Sequence, residues 1–359
     1  MIPELDEALA GAPYSWRESD REQLLLSGLN RLTELHYEKC VPYRRIIDGY
    51  WDGLTAAAHL AEVPYLPVSN FKTQLLQSVS DADVRVTLTS SGTTGQAVSR
   101  VRLDSATSTI QQRALANSLM HVLGKSRLPM LVVDTDAVFK DPKKMSARGA
   151  GVLGLMRYGR DHSFALTPEL EPDFAAVDAF LDRLNGGAFF MFGFTFMVWA
   201  KFYEQFRSRN LDLSNGILIH SGGWKKLVEQ AVSNEQFRRR LGESFGLKRI
   251  YNFYGMVEQI GTIFLEGPGG LLYPPNFADV IVRDTRTFEP AAPGQPGLIQ
   301  VLSLLPHSYP GHSVLTEDLG VIEVRSGSNA EWGDRGIKVL GRLPRSELRG
   351  CSDVVGMAA

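Results

Sequence analysis

The chain has 359 residues, 44% of them hydrophobic and 22% charged, which excludes a disordered protein, a collagen-like repeat and a cystine-stapled miniprotein, and leaves room for one large or two to three small domains. Its 38 basic and 40 acidic side chains leave a net charge of −2 with neither sign gathered into a block, so nucleic acid is not a favoured partner. Two cysteines, Cys40 and Cys351, stand far apart without CxxC pairing, which excludes a disulfide framework and fits a reducing, cytoplasmic setting.

The first residues, Met1-Ile-Pro-Glu-Leu-Asp-Glu, carry acids where an export signal needs basic residues ahead of an apolar stretch, so none is expected. From residue 15 to about 76 the pattern is mostly helical, until Pro64 and Pro67 interrupt it. It changes near Val84: Arg-Val-Thr-Leu-Thr reads as a strand, residues 90–95 as a turn-forming cluster and 105–123 as a helix. The alternation recurs, with strands at 129–133, 188–192, 216–220 and 249–254 and helices at 175–184 and 225–241. This predicts an α/β fold with a mostly parallel sheet flanked by helices.

The uncharged run 186–200 is shorter than the ~20 residues that span a bilayer, so no membrane span is expected. It reads instead as a strand entering a helix that turns amphipathic through Trp199, Phe202 and Phe206. Beyond Gly267, short strands punctuated by Pro and Gly at 279–283, 297–304, 319–324 and 337–340 predict a smaller antiparallel β-subdomain. The expected organisation is a helical region over 1–83, an α/β region over 84–266, the β-subdomain over 267–345 and a flexible tail over 346–359.

Two familiar patterns are decoys. Gly149-Ala-Gly-Val-Leu-Gly154 satisfies GxGxxG but follows a polar run and not a strand. Gly242-Glu-Ser-Phe-Gly246 satisfies GxSxG with helix before and strand after, the reverse of a nucleophile elbow. The seven histidines have no metal-ligand spacing. The informative segment is Thr89-Ser-Ser-Gly-Thr-Thr-Gly95. Its glycines clear space for backbone N–H groups to reach an anion and its hydroxyls add donors, the composition of a phosphate-wrapping loop. No Lys follows the last glycine, so it is not a Walker A loop. Five fixed positions arise by chance about once in 10⁶ starting points at roughly 6% usage each.

With that loop the sequence resembles the adenylate-forming enzymes, which activate a carboxylic acid with ATP as an acyl-adenylate. Their Ser/Thr-Ser-Gly-Thr-Thr-Gly loop is matched at residues 90–95, their Tyr-Gly-x-x-Glu by Tyr254-Gly-Met-Val-Glu258 and their Thr-x-Asp-Leu-Gly by Thr316-Glu-Asp-Leu-Gly320. Gly341-Arg342 occupies the place where the family's large domain ends. Within the superfamily the chain is most similar to bacterial acyl-protein synthetases, the fatty-acid-activating component of the luminous bacteria's reductase complex, and to phenazine-pathway relatives. The residues that suggest it are Leu66-Pro-Val-Ser-Asn-Phe-Lys72, His220-Ser-Gly-Gly-Trp-Lys-Lys226 and the cysteine in Arg349-Gly-Cys-Ser352.

The resemblance implies the large-domain fold of adenylate-forming enzymes, with the mobile C-terminal domain and its lysine absent. It implies that Ser90, Ser91, Gly92, Thr93, Thr94 and Gly95 cradle phosphates, that Glu258 ligates Mg²⁺ and that Asp318 accepts hydrogen bonds from the ribose. Gly222 and Gly223 would lie against adenine, Tyr254 and Gly255 would complete the ATP site, and Arg342 would reach ribose or phosphate. Phe192 and Phe194 would line the acid pocket and Cys351 would carry the acyl group. Plainer readings stand beside these: a solvated acid for Glu258, a polar turn for Glu317 and Asp318, a strand-ending turn for the glycines, core packing for Tyr254, Phe192 and Phe194, a surface arginine for Arg342 and an inert thiol for Cys351. Cys40 reads as a small buried hydrophobe.

The expected function is Mg²⁺- and ATP-dependent activation of a carboxylic acid, a fatty acid favoured, followed by acyl transfer to a protein thiol, with a reductase or carrier as possible acyl-accepting partner. An aryl-acid adenylating enzyme and a catalytically silent nucleotide-binding subunit are the alternatives.

Overall fold

The computed structural model describes residues 2–90, 98–139, 147–224, 231–325 and 331–343. In chain order the strands among them are β1 (Leu66–Pro67), β2 (Val86–Thr89), β3 (Arg100–Leu103), β4 (Leu128–Val132), β5 (Gly159–Phe164), β6 (Phe189–Phe194), β7 (Gly216–Ser221), β8 (Arg249–Tyr254), β9 (Phe264–Glu266), β10 (Leu272–Tyr273), β11 (Ala278–Arg283), β12 (Gly297–Ser303), β13 (Ser313–Val324) and β14 (Arg335–Arg342). They fall into two compact units, one built from residues up to 90, 98–121 and 255–343, the other from Val122–Tyr254.

The Val122–Tyr254 unit carries the parallel sheet, in the order β5-β4-β6-β7-β8. Strands β6 and β7 are buried at every residue, the mark of a sheet covered on both faces. Helix Phe174–Leu184 starts where Asp173 accepts from the Ala176 N–H at 2.9 Å and stops at Asn185 in the left-handed conformation. The helix expected from 225 begins only at Asn234, where Ser233 caps it; 225–230 lie outside the described residues and 231–233 are not helical. After β6 the chain winds through Thr195–Met197, a π-helical Val198–Tyr203 and Glu204–Phe206. Trp199, Phe202 and Phe206 are buried with Val198 and Tyr203, while Ala200, Lys201, Glu204 and Gln205 stay partly or fully exposed, so from Val198 onward the segment is amphipathic as expected.

Both decoys resolve as helix. Gly149–Gly154 lies inside helix Ala147–Met156, and Ser244 lies in the last turn of Asn234–Phe245, which Gly246 ends at φ 72°. Strand β5 lies outside the predicted elements: its Gly-Arg-Asp-His-Ser-Phe sequence has no apolar alternation because it is the sheet's edge, exposed at Arg160 and Asp161.

The other unit carries an antiparallel sheet, β11-β12-β13-β14-β10-β9, with β1 added parallel to β13. The α/β class with parallel and antiparallel parts is therefore as the sequence predicts. Helix Glu18–Lys39 packs Leu25, Leu29 and Leu32 with Leu302, Leu304 and Leu305. Its buried Arg21 faces Asp279 at 3.4 Å, which Arg335 also meets at 2.7 Å. Beyond helix Val41–Tyr50 the expected helical region holds turns, a 3₁₀ helix at Leu60–Glu62, strand β1 and the short helix Asn70–Thr73. The phosphate-loop residues fall between two paired strands: β2 and β3 are antiparallel, Val86 opposite Leu103 and Thr89 opposite Arg100, before helix Ser105–Leu123 begins. Among the described residues no helix is long and apolar enough to cross a membrane.

Candidate active site

In the unit with the antiparallel sheet, β13 supplies the centre of the site. Thr316 donates its hydroxyl to the Ile299 carbonyl at 2.8 Å and accepts the Asp318 N–H at 3.1 Å. This side chain stands in for ladder bonds where the β12–β13 and β13–β14 registers slip. Asp318 then lies opposite Arg342 on β14, whose Nε donates to its Oδ1 at 3.0 Å. Gly341, just before, takes φ 138°, a conformation open to glycine, and the Leu343 N–H donates to the Glu317 carbonyl at 3.0 Å.

Glu258 sits on a 3₁₀ turn, Val257–Gln259, and is 4% exposed. Burial pushes its carboxyl up from the ordinary value, opposed by the Ser99 hydroxyl, its own backbone and the charges of Lys72 and Arg342. The Ser99 hydroxyl approaches it without completing a hydrogen bond. The Gln259 amide fixes the turn by donating to the carbonyls of Val301 and Gly311 at 3.0 and 2.9 Å. Gly311 packs so tightly there that a Cβ on it would stand 2.5 Å from the Glu258 carbonyl oxygen.

Ser90 and Ser99 close the neck of the hairpin. The Ser90 N–H donates to the Ser99 carbonyl at 3.1 Å and the Ser99 N–H to Ser90 Oγ at 2.9 Å. Ser91, Gly92, Thr93, Thr94 and Gly95 lie outside the described residues, as does Cys351. The structure thus brings Glu258, Asp318 and Arg342 together and adds two residues to which no role was given, Ser99 and Lys72. Lys72 was visible as the end of the Leu66–Lys72 motif; nothing in the sequence marks Ser99.

In the Val122–Tyr254 unit, Gly222 and Gly223 follow β7. Gly222 has φ 85°, and a Cβ on Gly223 would meet nothing within 4 Å. Just ahead, His220 is buried with Nδ1 2.9 Å from Thr195 Oγ1 and its ring 4.5 Å from Phe237; Nε2 has no hydrogen-bond partner among the described residues. Burial, then the Arg238 charge, lowers its pKa to about 3. The Ser221 hydroxyl donates to the Phe253 carbonyl at 2.9 Å, and Tyr254, half-buried, ends β8. Phe192 and Phe194 are buried at the carboxyl end of β6 with rings 5.7 Å apart. That end of a parallel strand is where open α/β sheets bind ligands. Gly255, next along the chain, belongs to the other unit and is half-buried. Cys40 is buried, which raises its thiol pKa.

Chemically, one buried carboxylate beside an ammonium and a guanidinium suits a metal-bound polyphosphate. No group of three metal-ligating side chains occurs among the described residues. A single hard carboxylate with the remaining oxygens coming from phosphates is how Mg²⁺ is commonly held, so Glu258 fits that ion.

The sequence matches the family described as "Acyl-protein synthetase, LuxE" over residues 2–359. A long-chain-fatty-acid–luciferin-component ligase of Vibrio harveyi is 26% identical over 374 residues, covering 97% of this chain and 92% of the relative. The ligase of the same name from Aliivibrio fischeri is 22% identical, covering 95% and 90%. Among solved structures, an open conformation of 2-hydroxyisobutyryl-CoA ligase in complex with 2-HIB-AMP and CoA has a TM-score of 0.69 at 17% identity, covering 92% of this chain and 72% of that one. Its postadenylation state gives 0.68 at 16%. The likeness shows a shared fold, that of an adenylate-forming ligase.

Proposed function

The chain belongs to the acyl-protein synthetase family, LuxE, and from that premise we propose that it activates a long-chain fatty acid with MgATP and passes the acyl group to a protein thiol. The observation that carries this reading is the convergence of Glu258, Asp318 and Arg342, drawn from three separate motifs, in one unit. In the first half-reaction the acid's carboxylate oxygen bonds to the α-phosphorus, the bond to the bridging oxygen breaks and pyrophosphate leaves. Two anions meet in that step, so positive charge must already be in place. Mg²⁺ would supply part of it. Glu258 would hold the ion, Arg342 would face phosphate or ribose, and Asp318 would accept from ribose hydroxyls. Ser90–Gly95 for the phosphates, Gly222, Gly223, Tyr254 and Gly255 for the rest of the nucleotide, and Phe192 and Phe194 for the acyl chain belong to the same proposal.

In the second half-reaction a thiolate sulfur attacks the acyl carbon and AMP leaves. We assign the first acceptor to Cys351, with a reductase or carrier protein as the onward partner; a cytoplasmic setting keeps such thiols reduced. The test is ATP–pyrophosphate exchange with purified protein, Mg²⁺ and a panel of long-chain fatty and aryl acids. Exchange that requires a long-chain acid is expected. Exchange confined to aryl acids would move the substrate class, and ATP binding without any exchange would select a silent nucleotide-binding subunit.

A further inference from the structure

Glu317 has no role in the site so far, yet it sits beside Asp318 and its side chain is only about one-third exposed. Its partner is Lys72, with Nζ 3.6 Å from Oε1. The fold builds this approach deliberately. Strand β1 runs parallel to β13, Leu66 against Val314 and Pro67 against Leu315, and the Val68 N–H donates to the Leu315 carbonyl at 2.9 Å. The chain then turns through helix Asn70–Thr73, where buried Phe71 packs edge-on against the Tyr309 ring at 6.3 Å. With β1 registered and Phe71 anchored, Lys72 is delivered to the Thr316–Asp318 segment and is 17% exposed at its side chain.

A partly exposed Lys–Glu pair contributes ~0–1 kcal/mol to stability, too little to explain so much scaffolding. Its surroundings are more telling. Arg342 meets Asp318 at 3.0 Å, whereas Lys72 meets Glu317 only at 3.6 Å, the looser of the two contacts in this part of the site. An ammonium is a compact charge with three rotatable donors on a flexible stem, able to leave one acceptor for another. We propose that Lys72 is a catalytic residue that contacts the phosphates of the nucleotide, and that Glu317 is the positioning residue that holds its ammonium at the Glu258 site until they arrive. Glu317 precedes Asp318, which Arg342 engages, so the held ammonium stands beside residues of the same site. This deepens the adenylation reading and rests on it.

The test uses the full chain with Lys72→Gln, Lys72→Arg, Glu317→Gln and the Lys72→Gln/Glu317→Gln double variant, in two assays. Equilibrium binding of MgATP should weaken about 10- to 100-fold in Lys72→Gln, the worth of one charge-assisted contact, and less in Lys72→Arg. In acid-dependent pyrophosphate exchange, Glu317→Gln should lose less than Lys72→Gln, and the double variant should be no worse than Lys72→Gln, because Glu317 acts only through Lys72. Melting temperatures should stay close to wild type. Unchanged MgATP binding in Lys72→Gln overturns the phosphate role, and losses that multiply in the double variant overturn the positioning role. A wild-type protein that binds MgATP but never exchanges pyrophosphate fails the adenylation reading instead, while the binding assay still judges Lys72.

Discussion

Glu258 is the residue on which most depends, and its environment sets how it titrates. The charged form is the one that serves a cation, and burial makes that form harder to reach, so its carboxyl deprotonates above the ordinary glutamate value. Pyrophosphate exchange should therefore fall on the acid side with a midpoint above the ordinary carboxylate range. Lys72→Gln removes a charge that favours ionisation and should move that limb upward. A pH–rate profile of the two proteins checks both, and an acid limb at or below the ordinary carboxylate value would contradict the assignment. His36, His220 and His312 work in the opposite sense. Burial is the first cause in each, holding His220 and His312 to about 3 and His36 well below 6.5. Between 6.5 and those values the unfolded chain binds protons that the folded one refuses, so stability is present above 6.5 and is lost as pH falls. Urea unfolding should show ~1.4 kcal/mol lost per pH unit for each such histidine as the pH drops below 6; stability that is flat from pH 7 to 5 would contradict it. Of the site residues, Glu258, Asp318 and Arg342 were legible because motifs name them. The role of Lys72 was not, since only the β1–β13 pairing reveals which strand it lies beside.

Among the elements, the parallel strands of the sheet's middle were the most legible. β6 and β7 are buried, largely apolar runs and β8 is rich in aromatic residues, and the structure moves their ends by no more than two residues. β5 is hidden because Arg160 and Asp161 leave it no apolar period, which an edge strand tolerates, and β3 because its Arg-Val-Arg-Leu alternation is only four residues long. The consequence for the site is that the described chain on either side of the phosphate-loop residues is two antiparallel strands, β2 and β3, and not a strand and a helix. The turn carrying Glu258 depends on Gly311, where a side chain would collide with backbone. Gly311→Ala should cost ~1–3 kcal/mol as overpacking and reduce exchange by displacing Glu258. Thermal melting and exchange rate together check it, and a variant that keeps both at wild-type values would show that the contact is slack.

At the scale of the whole molecule, alternation of strands and helices made the α/β class readable, and four motifs in order made the chemistry readable. What composition could not convey is that the segment before residue 84 contributes a strand to the antiparallel sheet, through β1, and a cation to the site, through Lys72. Contacts so distant in sequence leave no periodic trace. The molecular claim is that one chain makes an acyl-adenylate and then loads a thiol. The two steps separate in Cys351→Ser, which should still form the adenylate but retain no acyl label on the protein; label that persists would place the acceptor elsewhere. The most direct measurement supplies ATP labelled in its α-phosphate, Mg²⁺ and a long-chain fatty acid, and looks for labelled acyl-AMP. The account predicts an adduct that requires both the acid and Mg²⁺ and falls by about 10²–10³ in Glu258→Gln; ATP that binds yet yields no acid-dependent labelled adenylate would contradict it.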